Sequence, residues 1–130
     1  MKCRDFSSIL RTFADVLDVA GAPVARDQIA MLAGIFDAYS TSSVSELTKR
    51  VAGLPEVAGG PSLGDLANLL SVLRSFLNQT AKSAVLTDVD AIEKLLRDRA
   101  SMGLGAFVRM ATEAATPTGR GRRRDAPPRG

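Results

Sequence analysis

Asp88, Asp90 and Glu93 are the densest group of carboxylates in the sequence, three within about two turns of chain. Hard cations such as Ca2+ are held by about six to eight oxygen ligands, and no further ligand stands near these three. Carboxylates also belong at helix N-termini, where they offset the exposed amides and the helix dipole. The cluster is therefore predicted to be structural, and no metal site follows from it. Histidine is absent, which removes the commonest general base and the commonest metal ligand. Without it, Cys3 or any serine lacks the base partner that activates a nucleophile. Gly103-Leu104-Gly105 is two glycines at a helix break, without the spacing of a phosphate-binding loop. The chain is predicted to be no enzyme, with no catalytic, cofactor-binding or metal-binding residues and no small-molecule substrate.

Nucleic-acid contact is a second chemistry that the residue types allow. Within Ala25–Ala52 a helix, a four-residue turn and a short helix have the spacing of a helix-turn-helix segment. The second helix turns Ser45, Thr48, Lys49 and Arg50 outward, types that touch bases and phosphates. Near the C-terminus, Arg120, Arg122, Arg123 and Arg124 would add salt-sensitive phosphate contacts without sequence preference. The charge is unevenly placed. Residues 1–116 hold 12 Lys and Arg against 13 Asp and Glu, while residues 117–130 hold five arginines against Asp125 alone. The net +3 is thus −1 in the body and +4 in the tail, so electrostatic attraction to nucleic acid belongs to the tail. The same outward residues on a neutral body also describe a solvated helix face. A DNA- or RNA-binding regulator is the alternative reading.

Cys3 is the only cysteine, so an intramolecular disulfide is excluded and a reducing cytoplasm is the expected setting. Asp5, Ser7, Ser8, Arg11 and Thr12 interrupt the N-terminal apolar residues, which predicts no signal peptide. No run approaches the length of a membrane span. Arginine outnumbers lysine 13 to 4 and alanine is abundant, a bias that suggests a GC-rich bacterial genome.

The elements that would position these residues are all helical. The firmest is Ser62–Asn78, with apolar residues at 63, 66, 69, 70, 73, 76 and 77, Ser62 as cap and Asp65 in the first turn. It is predicted to continue to about Lys82. A first helix opens at Asp5 and carries Phe6, Ile9, Leu10, Phe13, Val16 and Leu17 to Ala20, with Gly21 at its C-terminal turn and Pro23 beyond. A second spans about Ala25 to Tyr39. Ser43 and Glu46 form a capping box for a short third helix ending near Gly53. Thr87 with Asp90 resembles a second such box, for a fifth helix running to about Ser101. A sixth spans Leu104 to about Ala115. The aromatic residues all fall in apolar stripes and are predicted to be core. Residues 117–130 hold no aliphatic side chain larger than alanine and are predicted to be a disordered basic tail.

Shifting the chain by 60 residues superimposes one pattern on another. Phe6, Ile9, Leu10, Phe13, Val16 and Leu17 fall on Leu66, Leu69, Leu70, Leu73, Phe76 and Leu77, and Ile29, Leu32, Ile35 and Phe36 fall on Val89, Ile92, Leu95 and Leu96. Val44 and Leu47 fall on Leu104 and Phe107. The predicted fold is an all-α bundle of about six helices in one domain, 1–116, with repeat halves at 5–52 and 65–112. The two long helices, Phe6–Ala20 and Ser62–Asn78, are expected to pack together, Leu70 and Leu73 against Leu10 and Phe13. Ala30, Ala33, Gly34 and Ala38 would permit close helix approach. Such a bundle presents a face or groove to another protein. The predicted function is a protein–protein interaction or self-association module of a bacterial cytoplasmic complex, its partner being another protein or a second copy.

Overall fold

The computed structural model describes residues 1–78 and 82–115, which form a small all-α bundle of six helices. They are α1 (Cys3–Val19), α2 (Pro23–Ala38), α3 (Val44–Val51), α4 (Leu63–Leu77), α5 (Ser83–Asp98) and α6 (Leu104–Ala115). Among the described residues there is no strand, only isolated bridges between Lys2 and Ser43 and between Ser62 and Gly103.

Local chemistry explains most of the helix ends. α1 begins two residues before Asp5 because Cys3 N donates to Ser42 O at 2.8 Å, tying the first turn to the α2–α3 loop. It ends where Gly21 takes φ +82°, a conformation costly for residues with a Cβ, and Ala22 N closes onto Leu17 O at 2.9 Å. α2 starts at Pro23 rather than Ala25, since the first helical position needs no amide donor and suits the fixed φ of proline. The α3 capping box is formed: Glu46 N donates to Ser43 Oγ at 3.1 Å and Ser43 N to Glu46 Oε1 at 2.8 Å. Ser62 caps α4 by accepting Asp65 N at 3.2 Å. α4 ends at Leu77, with Asn78 as its C-cap, and the expected extension toward Lys82 falls on residues 79–81, outside the described ones. The Thr87 capping box does not form. α5 starts at Ser83, which puts Thr87 inside the helix, its Oγ1 donating back to Ser83 O at 2.9 Å. α5 also stops at Asp98, three residues short of Ser101.

The helices pack as two pairs, α1 on α2 and α4 on α5, with α6 laid across α2 and α3 across α5. α1 and α4 are not the expected spine, because each is claimed along its length by its sequence neighbour. One continuous core collects Phe6, Leu10, Ile29, Leu32 and Phe36 from the first pair and Leu66, Leu70, Ile92 and Leu96 from the second, all at most 2 % exposed. The Phe6 and Phe36 rings lie 4.7 Å apart, centroid to centroid. A void of about 10 Å3 among Leu32, Phe36, Ile92 and Leu96 is no larger than a single water requires.

The loop between α3 and α4 is exposed but tethered. Gly103 N donates to Val57 O and Leu104 N to Pro61 O, each at 2.7 Å. A Cβ on Gly103 would stand 2.0 Å from Gly59 O, so only glycine fits beneath this strap.

Candidate functional site: an apolar groove between α1 and α4

The separation of α1 from α4 leaves a groove between them. Its α1 wall is Ser8, Ile9, Thr12, Phe13 and Val16; its α4 wall is Leu73, Phe76 and Leu77; its volume is about 460 Å3. The α1 residues recur at helical spacing along a strip beside the core stripe of Phe6 and Leu10, the two meeting at Phe13. Leu73 and Phe13 form the floor, each 3 % exposed. The upper edges are open, with Val16 46 % and Phe76 59 % exposed. The Phe76 ring meets the Phe13 ring edge-on at 6.0 Å and bridges the gap from one side.

The lining carries no charged side chain. Its two hydroxyls are spent on their own helix: Ser8 Oγ donates to Arg4 O at 3.3 Å and Thr12 Oγ1 to Ser8 O at 3.0 Å. The groove can desolvate an apolar surface, and none of its side chains is an acid, a base or a strong metal ligand. Phe76 was expected in the core, and Val16 stands on the apolar stripe of the first helix. They lie 60 residues apart at the outer margin of their stripes, which is the sequence signal that marks them.

Most residues singled out for chemistry are absorbed by the fold. In the acidic cluster, Asp88 accepts the Met1 amine at 2.9 Å, Asp90 accepts Arg74 and Glu93 accepts Arg97 Nε at 2.8 Å. Each carboxylate thus has its own cation. The Cys3 thiol is fully buried, and burial, reinforced by Glu46, pushes its pKa up to about 11. It is therefore protonated at neutral pH and unsuited to attack.

Of the residues proposed to contact nucleic acid, Ser45, Lys49 and Arg50 are exposed on α3 and Thr48 is half-buried, its Oγ1 donating to Ser45 O at 2.7 Å. Arg50 has structural work: its guanidinium lies 5.5 Å from the centre of the Tyr39 ring and donates to Ala114 O at 2.9 Å, at the end of α6. α3 rests chiefly on α5, not on α2 as the two helices of a helix-turn-helix pair would rest on each other. Arg120, Arg122, Arg123 and Arg124 lie outside the described residues.

Among the described residues no helix is long and apolar enough to cross a membrane. The chain matches no family model, no curated protein and no solved structure.

Proposed function

We propose that this chain is a non-catalytic helical interaction module of a bacterial cytoplasmic complex, and that it pairs with a second copy of itself across the α1/α4 groove. The observation that carries the reading is Phe76, a large aromatic side chain on a regular helix that is 59 % exposed at the rim of an uncharged apolar groove. Burying such a side chain contributes about 1.5–3 kcal/mol, and aromatic residues are enriched at the centre of interfaces. The absence of charge favours a second copy as the occupant. A two-fold contact sets each face against itself, so a charged lining would meet its own sign, and this lining meets only apolar surface and two internally bonded hydroxyls. The cytoplasmic setting rests on the single reduced cysteine and the bacterial origin on the arginine bias.

Sedimentation velocity of the full chain from micromolar to millimolar concentration tests the pairing. The wild type is expected to shift from monomer to dimer, and Phe76→Asp to stay monomeric with unchanged helical circular dichroism. A wild type that remains monomeric throughout overturns self-pairing. So does a dimer that Phe76→Asp leaves intact, because its contact then lies elsewhere.

A further inference from the structure

The helix boundaries recur at a fixed interval. α2 and α5, Pro23–Ala38 and Ser83–Asp98, differ by 60 at both ends; α1 and α4 begin at Cys3 and Leu63, and α3 and α6 at Val44 and Leu104. Any two amphipathic helices can be slid into register, so helices alone carry little. The irregular backbone repeats as well. The Lys2–Ser43 bridge returns as Ser62–Gly103. Cys3 N to Ser42 O at 2.8 Å returns as Leu63 N to Met102 O at 2.9 Å, and Val44 N to Met1 O at 3.0 Å as Leu104 N to Pro61 O at 2.7 Å. Apolar periodicity has no power to dictate such loop-to-terminus bonds.

The third helices also cross over. α3 rests on α5 of the other half, and α6 rests on α2. Residues 39 and 99, again 60 apart, secure these crossings. The Tyr39 hydroxyl donates to Ala111 O in α6 at 3.0 Å, while Arg99 donates to Leu54 O at 2.6 Å and to Ala52 O at the end of α3. Each seals the short helix of the opposite half.

We infer that residues 1–52 and 61–112 are two copies of one three-helix unit, paired with their third helices exchanged, so that the surface buried between them is one the unit forms with a copy of itself. The pairing buries surface of α2, α3, α5 and α6, with α4 against α2, and leaves the α1/α4 groove open at its seam, where the Phe13 and Phe76 rings meet.

A two-fold relation between the units makes the gap from residue 52 to residue 61 equal to the gap from residue 112 to Met1, so the linker 53–60 that spans the first also spans the second. The test is a permuted chain carrying residues 61–112, a second copy of 53–60, then residues 1–60. It is expected to retain the helix content of the parent and to unfold within a few degrees of it; a permuted chain that lacks the parent helix signal overturns the inference. Amide hydrogen exchange on the full-length chain tests the crossing separately, with variants that lose one hydrogen-bond donor. Tyr39→Phe is expected to speed exchange roughly tenfold in the last turns of α6 and not in α3, and Arg99→Met to do the converse. Acceleration confined to the variant's own half, or spread evenly over the chain, overturns the exchange of third helices.

Discussion

The halves 1–52 and 61–112 bury nearly the same pattern of positions with different chemistry. The first is aromatic and close-packed. Phe6 stacks on Phe36, alanine stands at 14 and 30, and Ser7 Oγ donates to Asp37 across the α1–α2 contact at 2.5 Å, with Arg11 on the other carboxylate oxygen. Sixty residues later the same positions hold Leu66 and Leu96, Ala67 and Arg97, and the alanines are replaced by Arg74 and Asp90, which pair across the helices. Both pairs carry a salt bridge across their helices, Arg11–Asp37 and Arg74–Asp90, and the α1–α2 contact, with alanine at 14 and 30, is the more extensive. The two pairs thus differ in what fills the matched positions, stacked rings and alanines in one, leucines and a salt bridge in the other, while the inward positions stay apolar.

Substitutions at positions 60 apart probe this difference, and the core pair should respond most. Phe36→Ala is expected to cost about 4 kcal/mol and Leu96→Ala about 3 kcal/mol in denaturant unfolding, the ring leaving the larger cavity. Equal losses would show that the stacked aromatic contact adds nothing to the first half.

Residues 43 and 103 come next, because the strap crosses only one of them. Gly103→Ala drives a Cβ into Gly59 O and is expected to cost about 3 kcal/mol, the upper range for overpacking. Ser43→Ala loses the α3 cap and is expected to cost about 1 kcal/mol. Thermal midpoints that rank the two in the opposite order would contradict the strap.

At positions 3 and 63 the contrast is titratable. The Cys3 thiol has its folded pKa raised from 9.0 to about 11, so the folded state disfavours the thiolate. That contribution is fully present below pH 9 and lost as pH rises toward about 11, amounting to about 2 kcal/mol at the alkaline end. Cys3→Ala should flatten the alkaline limb of stability against pH, since Leu63 offers no second titrating group at the matching site.

A smaller effect of opposite sign belongs to Asp37. The Ser7 hydroxyl and then the Arg11 guanidinium hold its carboxyl below the usual range. Its contribution is present above the ordinary carboxylate pKa, about 3.9, and is lost as pH falls through the lower folded value. The side chain is 48 % exposed, which limits the effect to below about 1 kcal/mol. Asp37→Asn should reduce the acid dependence to that extent, and an unchanged acid limb would show that solvent screens the contact completely.

How much of this could be read from sequence depends on the range of the interaction. Ser43–Glu46 and Ser62–Asp65 were legible because a cap is settled within four residues, and α2 and α5 because their stripes face one core. Thr87–Asp90 has the same local chemistry, yet three apolar or small residues upstream extend α5 to Ser83 and turn the threonine inward on its own helix. Range also hid the groove. A stripe says that Phe76 lies on the apolar side of α4, but its exposure depends on how far α1 stands away, and that distance is set by α1 packing on α2 and α4 on α5. Arg50, Arg99 and Tyr39 were obscured for the same reason, their acceptors lying 64, 45 and 72 residues away.

Self-pairing through the groove is the central functional claim, and amide chemical shifts recorded over increasing protein concentration test it most directly. Concentration-dependent shifts are expected to cluster on residues 8–16 and 72–77 and to vanish in Phe76→Asp. Shifts centred on residues 45–50 instead, or none at any concentration, would contradict it.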